Sequence, residues 1–422
     1  MILKYALLGF GLSNKYAARY LKALGEEVFV SESGTLSEEN RKYLEEAGIP
    51  YEEGTNSERI LEADVILTSP SVPHNHPLLI RAKEMGKHVD TEITYFTKNL
   101  DWNPTIITVT GSVGKSTTVS MIHHLISKSA TSQLSGNIGI PIAQVLLECK
   151  KPEYLVIEIS SFQLYWAQYF KPHVAVITNI YPNHLDWHPS MEHYAESKLK
   201  IAKFQDNEDH FIYNPKDMET FKKLSLVQAK RVPFTADFKF EDIPFHIRTK
   251  QNVENIAAAK TVLKVLNLPF DMDMLKDFVP LPHRMEYCGT INGAHYYNDS
   301  KATNAAAVLK ALENFDGNLF LIIAGKGKNE DYTNLADEIK KKCKHVAIVG
   351  PIADQIEPYL KERVINYKRY KDIEEAVIEI SKMAGEGDYV LLGPAGASYD
   401  AYKNFEERGD HFKAIVKKLM EQ

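Results

Sequence analysis

The sequence has little cysteine, no long apolar run and no segment with a strong excess of basic charge. Its three cysteines, Cys149, Cys288 and Cys343, lie far apart and form neither a disulfide framework nor a CxxC metal pair, which is typical of a reducing compartment. No apolar run approaches the ~20 residues that a membrane-spanning helix needs. The 50 basic and 56 acidic residues are mixed along the chain, so nucleic acid is not an expected partner. We expect a soluble, cytoplasmic protein without a membrane span.

Short apolar runs alternate with amphipathic helical patterns along the whole chain. Examples are ADVILTS, TIITVTG, YLVIEIS, VAVITNI, LFLIIAG and DYVLLG. Most precede a turn with glycine or serine and then a helical pattern, which predicts βα units with buried parallel strands. The 422 residues suffice for about three domains, and polar, proline-bearing stretches predict two boundaries. We therefore expect an α/β fold with three domains at 1–98, 99–280 and 281–422.

Residues 109–118, VTGSVGKSTT, follow a β-forming run and precede a helical pattern. This is the order of strand, loop and helix that a nucleotide phosphate loop requires. Backbone N–H groups and a helix N-terminus favour an anion there. Lys115 would neutralise the β- and γ-phosphates, and the Ser116 hydroxyl would bind Mg²⁺. A chance glycine-rich turn is the alternative, and the motif does not indicate which group accepts the phosphoryl.

Glu158 interrupts the apolar strand pattern YLVIEIS. A carboxylate in such a strand is costly to bury unless it is paired or bound to a cation. We therefore predict that Glu158 holds Mg²⁺ directly or through water. A strand-end carboxylate in water is the alternative.

The next strand pattern ends in a polar loop that contains His184 and Asp186. His184 and His188 have the i, i+4 spacing of zinc ligands, but prolines flank the stretch and no third soft ligand stands nearby. Loops after parallel strands carry catalytic groups in α/β enzymes, so a functional and a solvated His184 both stay open. Lys198 lies in the following helical pattern, and the sequence alone predicts that it is a solvated charge.

The stretch NDSKATN gathers many hydrogen-bonding groups in one turn before a helical pattern. Asp299 or Ser300 could be a helix cap. A cap does not also explain Lys301 and Thr303, so a ligand-binding loop and a solvated turn both stay open.

The N-terminal GFGLSN is close to the dinucleotide fingerprint GxGxxG, with Asn14 in place of the third glycine. Glu32 ends the second strand pattern at about the distance of a ribose-binding acid. The same residues could equally form a tight turn in any βα unit.

Taken together, these stretches resemble the Mur ligase family over essentially the whole chain. The motifs are GSVGKST, SGNIGIP, EISSFQL, NHLDWH with a downstream SKLKI, LPHR, NDSKATN, GKGKNEDY and GPAGASYDAYKNFEERGDHF. The stretches SSFQL, DSKATN and the C-terminal ASYDAYKNFEERG are most similar to the branch that adds D-glutamate. The resemblance implies a Rossmann-like N-terminal domain, a P-loop ATPase-type central domain and a Rossmann-like C-terminal domain.

The resemblance also implies the residues of the nucleotide and metal sites. ATP would be bound by Gly111, Gly114, Lys115, Ser116, Thr117, Asn255, Arg284 and Asp299. Two Mg²⁺ ions would be held by Ser116, Glu158, His184 and Lys198, with Lys198 carbamylated by CO₂. Lys115, His184 and Lys198 would be the catalytic residues, with His184 either a base or an orienting group.

The two remaining sites follow from the same resemblance. UDP-N-acetylmuramoyl-L-alanine would contact Ser13, Glu32, Ser33, Ser69, Asn137, Ser160 and Gln163. D-Glutamate would be bound by Lys301, Thr303, Lys328, Ser398 and Phe405. We expect a monomer.

The chain departs from the family pattern at a few positions. Ser112 and Val113 stand where Thr-Asn is usual, Gln251 stands where the adenine-side motif begins with histidine, and the segment SPSVP has serine in place of glycine. Lys326 replaces an expected acidic residue. None of these removes a phosphate or Mg²⁺ ligand, but Lys326 adds positive charge near the amino-acid site and leaves acceptor choice open.

These observations predict an ATP-dependent ligase. ATP would phosphorylate the alanyl carboxylate, and the amine of D-glutamate would attack the acyl phosphate. A sister ligase and a folylpolyglutamate synthetase are the enzymatic alternatives. The alternative from a different class of protein is a P-loop ATPase that acts as a conformational switch. It would hydrolyse ATP without any small carboxylate substrate.

Overall fold

The computed structural model describes residues 2–148, 151–185 and 187–421, so Cys149 and Asp186 lie outside the described residues. The chain divides into two compact units, Met1–Phe238 with Glu254–Phe278, and Lys239–Val253 with Val279–Gln422. Three sheets flanked by helices confirm the predicted three-part α/β architecture. The predicted domain boundaries stay predictions. No described helix is both long and apolar enough to cross a membrane.

The first sheet has five strands in the order β3-β2-β1-β4-β5, and all of them are parallel. The strands are β1 Lys4–Leu8, β2 Glu27–Glu32, β3 Tyr51–Glu53, β4 Val65–Thr68 and β5 His88–Asp90. The helices are α1 Leu12–Ala23, α2 Glu38–Glu46, α3 Pro77–Glu84 and α4 Glu92–Lys98. The strand order reverses between β1 and β4, and the carboxyl ends at such a switch point form a binding crevice in α/β sheets.

The second sheet, also in the first unit, has six parallel strands in the order β11-β10-β9-β6-β8-β7. The strands are β6 Thr105–Thr110, β7 Ser132–Gly136, β8 Tyr154–Glu158, β9 Val174–Ile177, β10 His210–Tyr213 and β11 Lys230–Pro233. The helices are α5 Lys115–Ile126, α6 Ile142–Glu148, α7 Ser161–Trp166, α8 Met191–Leu199, α9 Met218–Lys222 and α10 Lys250–Val265. Because β6 pairs with both β8 and β9 in parallel, the loops that follow these three strands emerge at one edge of the sheet.

The third sheet lies in the second unit and has the order β12-β13-β17-β14-β15-β16. Its strands are parallel except for the antiparallel edge strand β12. The strands are β12 Glu286–Ile291, β13 Ala294–Asn298, β14 Leu319–Ala324, β15 Cys343–Val349, β16 Tyr367–Tyr370 and β17 Tyr389–Ala395. The helices are α11 Ala305–Leu312, α12 Thr333–Lys342, α13 Ala353–Glu362, α14 Ile373–Met383 and α15 Phe405–Met420.

Short 3₁₀ helices complete the secondary structure. They span Glu58–Glu62, Lys200–Ala202, Leu224–Leu226, Phe240–Asp242, Phe245–Ile247 and Met272–Leu275. The central strands are buried on both faces, as the successive residues Ala6 and Leu7 in β1 and Leu321 and Ile322 in β14 illustrate. This burial explains why the strands read as continuous apolar runs rather than as alternating patterns.

Candidate active site

The phosphate loop connects β6 to α5, whose first residue is Lys115. Gly111 has φ +152° and Gly114 has φ +87°, a region of backbone conformation that favours glycine. A Cβ at Gly111 would collide with Thr178 Oγ1, and one at Gly114 would lie 2.5 Å from Asn255 Oδ1. The predicted order of strand, loop and helix is confirmed, and the glycines let the loop pack closely on its neighbours.

The loop keeps its shape through contacts with the residues that follow β9. The Asn179 side chain accepts from Val113 N at 2.9 Å and donates to Val113 O at 3.1 Å. Ser112 Oγ donates to Tyr181 O at 3.0 Å. Lys115 Nζ donates to Ser112 O at 3.2 Å. Ser112 and Val113, which depart from the family pattern, therefore both take part in the contacts between the loop and the residues after β9.

Ser116 and Thr117 continue the loop into the first turn of α5. Ser116 is buried and Thr117 is half-buried. Asn255, on α10, is buried close to the loop, where its Oδ1 accepts from Thr118 Oγ1 at 3.2 Å. Backbone N–H groups at the start of a helix provide the positive potential that a phosphate group requires.

Glu158 ends β8 with a side chain that is 1% exposed. Its Oε1 accepts from Asn137 Nδ2 at 3.0 Å, while its buried Oε2 has no hydrogen-bond partner among the described residues. The alternative of a strand-end carboxylate in water is therefore wrong. A buried carboxylate oxygen without a donor beside a phosphate loop fits a divalent cation.

Other ligands for such a cation would have to come from elsewhere. Within the described ranges, no group of three or more His, Cys, Asp or Glu side chains is arranged to hold a metal ion. The buried Ser116 hydroxyl and the oxygens of a nucleotide are the donors that Mg²⁺ prefers, and they would complete the set around Glu158.

Lys198 lies on α8 and is 2% exposed, so the interpretation as a solvated charge is wrong. Its Nζ donates to Gly111 O at 2.8 Å and lies 4.5 Å from the centroid of the Tyr194 ring. Burial, together with the positive charge of Lys115, holds the pKa of Lys198 well below its usual value, and Glu158 offsets part of this shift. The amine therefore sits directly under the phosphate loop and loses its proton more readily than an exposed lysine.

The two histidines with i, i+4 spacing have different surroundings. His184 is exposed, has φ +54°, and its ring lies 4.9 Å from the Phe162 ring. His188 is buried, with Nε2 3.0 Å from Ser161 Oγ and Nδ1 2.8 Å from His193 Nδ1. Burial and the neighbouring His193 lower the pKa of His188 to about 3, so it is neutral. His188 belongs to the packing of the loop, and His184 is the member of the pair that faces solvent.

A cavity of about 190 Å³ lies at the switch point of the first sheet, next to the carboxyl ends of β1 and β4. Three of the predicted UDP-substrate residues, Ser13, Ser69 and Gln163, line it. Gly9 has φ +80°, and a Cβ there would lie 2.8 Å from Ser69 Cβ. The cavity therefore depends on a close approach of the turn after β1 to the turn after β4.

The other predicted UDP-substrate residues, Glu32, Ser33, Asn137 and Ser160, do not line this cavity. Glu32 accepts from Phe10 N and from Gly34 N, both at 2.8 Å, and so ties together the turns after β1 and β2. Ser33 is exposed beside it. Ser160 is the N-cap of α7, where its Oγ accepts from Gln163 N at 3.3 Å.

Two residues near the cavity were not predicted from the sequence. Asn14 donates to Gly9 O at 2.7 Å and to Leu8 O at 3.3 Å, so its side chain ties α1 to the end of β1 where the fingerprint has glycine. Glu92, the first residue of α4, lines the cavity and accepts from Ala143 N at 2.6 Å. Burial raises the pKa of Glu92 to about 8. A glutamate in a first helical turn is ordinary, so the sequence carries no signal for this burial.

In the second unit, the loops that follow β13, β14 and β17 bring the predicted amino-acid residues together. Lys328 Nζ lies 3.4 Å from Thr303 Oγ1, to which it donates. Lys301 Nζ lies 5.3 Å from the centroid of the Phe405 ring. Both lysines are exposed at this edge of the sheet.

The loops after β14 and β17 also pair with each other through their backbones. Lys326 N donates to Ala397 O at 2.8 Å, and Ala397 N donates to Lys326 O at 2.9 Å. Ser398, the next residue, is buried. The Lys326 side chain is exposed on the same loop as Lys328. This departure from the family pattern therefore lies beside a residue that is predicted to bind the amino-acid substrate.

The NDSKATN turn is neither a simple cap nor a solvated turn. Asn304 is the N-cap of α11 and accepts from Ala307 N at 2.8 Å, so the expectation that Asp299 or Ser300 is the cap is wrong. Asp299 accepts from Met285 N at 3.1 Å, and burial raises the pKa of Asp299 to about 6, although the exposed Arg284 opposes the shift.

Three family models match the chain in order. They are the MurD N-terminal domain over residues 4–76, the Mur ligase middle domain over 109–255, and the Mur ligase, glutamate ligase domain over 283–396. The UDP-N-acetylmuramoylalanine--D-glutamate ligase of Fervidobacterium nodosum is 81% identical over 419 residues, which cover 99% of this chain and 100% of the relative. The enzyme of the same name from Thermosipho melanesiensis is 53% identical over 422 residues, 99% of each chain. The chain belongs to the Mur ligase family.

Solved structures of other Mur ligases share the fold. The MurF ligase of Thermotoga maritima in complex with ADP has a TM-score of 0.60 at 17% identity, over 93% of this chain and 96% of that one. The UDP-N-acetylmuramate-alanine ligase MurC of the same organism has a TM-score of 0.58 at 18% identity, over 99% of each chain. At this identity the likeness concerns the fold alone.

Most candidate residues of this Mur ligase form three clusters, each within one compact unit, while Glu32 and Ser33 lie outside the cavity and the predicted ATP residues Arg284 and Asp299 lie in the second unit. The first unit holds the phosphate loop with Glu158 and Lys198, and separately the cavity lined by Ser13, Ser69 and Gln163. The second unit holds the loops with Lys301 and Lys328. The roles of these residues in binding and catalysis stay predictions.

Proposed function

We propose that this Mur ligase is a UDP-N-acetylmuramoylalanine--D-glutamate ligase of peptidoglycan precursor synthesis. The observation that carries the proposal is the identity of 81% with the Fervidobacterium nodosum enzyme of that name over the full length of both chains. The match of residues 4–76 to the MurD N-terminal domain supports the same branch of the family. The expected location is the cytoplasm, and the expected form is a monomer.

The proposed reaction has two steps that balance as follows. An oxygen of the alanyl carboxylate attacks the γ-phosphorus of ATP, ADP leaves, and an acyl phosphate forms. The amine of D-glutamate then attacks the acyl carbon, an amide bond forms, inorganic phosphate leaves with the C–O electron pair, and the amine loses a proton. The first step is needed because a carboxylate is a poor acylating agent at neutral pH.

The residues of the first unit suit the phosphoryl transfer. Transfer brings an anionic carboxylate toward an anionic phosphate, so preorganised positive charge lowers the barrier. Lys115, the glycine-rich backbone and the N-terminus of α5 supply it. Ser116 and Glu158 would hold Mg²⁺, which supplies further positive charge between the phosphates. His184, in the loop after β9, would orient or deprotonate a reactant.

Lys198 has the surroundings that carbamylation requires. A neutral amine is the form that adds to CO₂, and burial lowers the pKa of this lysine. The product is an anionic carbamate, which would serve as an oxygen ligand for a second Mg²⁺. In this proposal the carbamate places an anion under the phosphate loop, where a metal can neutralise it.

The experiment that tests the function is phosphate release from ATP by the purified chain. We expect release to require both UDP-N-acetylmuramoyl-L-alanine and D-glutamate, with one amide product per phosphate. Release with ATP alone, at the same rate as with both substrates, would favour the switch ATPase. Release with a different amino acid in place of D-glutamate would favour a sister ligase.

A further inference from the structure

Arg408 lies in the C-terminal motif NFEERG, to which the ligase chemistry assigns no role. It occupies the first turns of α15 and is 1% exposed, one of the largest fully buried side chains of the described chain. A buried arginine without an obvious partner is unusual, because removing a guanidinium from water is costly unless its donors are satisfied.

The guanidinium of Arg408 donates to three separate loops. Nε donates to Ser300 Oγ at 3.0 Å and Nη2 donates to Ser300 O at 2.9 Å, in the loop after β13. Nη1 donates to Ala324 O at 3.3 Å, at the end of β14, and to Gly396 O at 3.0 Å, after β17. Ser300 Oγ in turn donates at 2.8 Å to the carbonyl of Phe405, the first residue of α15, so the loop after β13 is bonded to this helix at both Phe405 and Arg408. One planar fork thus joins every loop that carries a predicted amino-acid residue.

The loops are packed too closely around this fork to shift independently. Gly325 has φ +102°, and a Cβ there would collide with Ala397 O and lie 2.9 Å from Arg408 Nη1. A Cβ at Gly396 would lie 2.8 Å from Ala324 O. The loops after β14 and β17 therefore pack directly against each other and against the guanidinium.

Arg408 forms no ion pair among the described residues, although the charge of Asp400 acts on it from a longer distance and opposes part of the effect of burial. Its acceptors are three carbonyls and one hydroxyl. Burial lowers the pKa of Arg408 to about 10, so it remains charged at neutral pH. If packing were the only requirement, an apolar side chain could fill such a position without the cost of desolvating a charge.

We propose that Arg408 is a positioning residue of the amino-acid site, which holds the loops after β13, β14 and β17 in register and places a fixed positive charge behind them. This arrangement suits an acceptor with two carboxylates, because Lys301, Lys328 and Arg408 then add their charges on one side of the sheet. The identity of the acceptor as D-glutamate rests on the proposed function. The clamp, by which we mean the hydrogen bonds of the Arg408 guanidinium to Ser300, Ala324 and Gly396, does not rest on it.

The kinetic test compares Arg408→Lys with Arg363→Lys. Lysine keeps the charge but cannot reproduce the planar fork. We expect the KM for D-glutamate to rise about tenfold in Arg408→Lys, as for the loss of a charge-assisted hydrogen bond, and the KM for ATP to change less than about twofold. Arg363 is the matched control, since it is a mostly buried arginine of the same unit that bonds Asp337 and Tyr359 instead of these loops. Equal rises in both KM values would overturn the positioning role.

The milder variant Ser300→Ala guards against a folding failure of Arg408→Lys. It removes one acceptor of the fork and the donor to Phe405 O, and keeps the charge. We expect a smaller rise in the KM for D-glutamate in the same direction, and less than additive effects in the double variant because both changes act on one network. Fully additive effects would contradict the clamp.

Hydrogen exchange tests the clamp without any substrate. The backbone amides of Lys326 and Ala397 are bonded to each other's carbonyls, so they are expected to exchange slowly in the parent protein. In Arg408→Lys they should exchange faster, while amides in the interior of β14 and β17 should not change. Unchanged exchange of Lys326 and Ala397 would overturn the clamp whatever the substrate. Faster exchange without a change in the KM for D-glutamate would leave only a structural contact and overturn the positioning role. If the parent protein shows no turnover that depends on D-glutamate, the proposed function fails and exchange alone decides the clamp.

Discussion

The two compact units treat charged side chains in opposite ways. Around the phosphate loop, Lys198 and Glu158 are almost completely buried, and burial holds the pKa of Lys198 far below its usual value. Around the loops of the second unit, Lys301 and Lys328 are exposed, while Arg408 is buried behind the loops and faces backbone carbonyls. Phosphoryl transfer gains from desolvated groups fixed before reaction, whereas a strongly hydrated amino acid must enter and leave a site that water can reach. Under the proposed function, the buried charges belong to the phosphoryl-transfer site and the exposed lysines to the amino-acid site.

The largest effect should follow from removing charge at the phosphate loop. Lys115→Ala should lower kcat about 10³-fold or more, because the transferred phosphoryl loses its fixed cation. The melting temperature should stay close to the parent value, since Lys115 is only half-buried. Turnover and thermal unfolding of the same preparations provide the measurement. Near-normal turnover would contradict the assignment of this loop to the ATP site, and with it the contrast between the two units.

The next effect concerns the buried amine. Lys198→Ala should lower activity about a hundredfold, as for loss of a metal-site group, and added short carboxylates should restore part of it by occupying the vacated space. Activity of the parent should fall when CO₂ is removed and recover with bicarbonate. Lys203→Ala, an exposed lysine shortly after α8, serves as the matched variant and should respond to bicarbonate like the parent. A plain amine in the mass of active, substrate-bound protein would contradict the carbamate.

The fold was predictable where single elements carry the signal. Continuous apolar runs such as LFLIIAG indicate strands buried on both faces, and β14 forms there. The phosphate loop was predictable because Gly111 and Gly114 meet backbone and packing demands that no other residue meets.

The parts of the site that depend on distant contacts were not predictable. Lys198 looks like a solvated helical lysine, and what buries it is a loop 87 residues earlier in the chain. His184 and His188 share a zinc-like spacing, yet packing buries His188 alone. The fork of Arg408 reaches residues up to 108 positions away. No local pattern encodes such partners, because each side chain is ordinary in its own helix or loop.

A moderate effect is expected from the exposed lysines. Lys328→Ala should raise the KM for D-glutamate about tenfold, since a charge-assisted bond to a carboxylate contributes roughly 1.5–3 kcal/mol. The KM for ATP should change little. Lys382→Ala, an exposed lysine on α14 that pairs with Glu379, is the matched control and should leave both constants unchanged.

The same assays decide what Lys326 does. D-Glutamate, L-glutamate, D-aspartate and D-lysine should be compared as acceptors in the parent, in Lys326→Ala and in Lys328→Ala. We expect D-glutamate to be preferred in the parent, and Lys326→Ala to weaken the dicarboxylates more than D-lysine. A preference for L-glutamate, or equal weakening of ATP and D-glutamate in Lys328→Ala, would contradict the proposed amino-acid site.

The last effect concerns stability rather than activity, and it depends on a buried carboxyl group of the first unit. Glu92 is buried beside the cavity of the first sheet, and burial raises its pKa from 4.5 to about 8. Between these values the native state holds a proton that the unfolded chain has released, so this group makes stability fall as pH rises, until the slope ends near pH 8. Glu92→Gln mimics the protonated acid, keeps an acceptor for Ala143 N and removes this slope. The melting temperature of the variant should therefore rise relative to that of the parent from pH 5 to pH 8. The expected gain is roughly 10 °C, since about three pH units at ~1.4 kcal/mol each are worth ~4 kcal/mol and 1 kcal/mol shifts the melting temperature by roughly 2–4 °C. Glu38→Gln, in the exposed first turn of α2, should follow the parent at every pH. A constant difference between Glu92→Gln and the parent would mean that Glu92 is ionised across this range, and that the first unit tolerates a buried carboxylate here by solvating it with the N-terminus of α6.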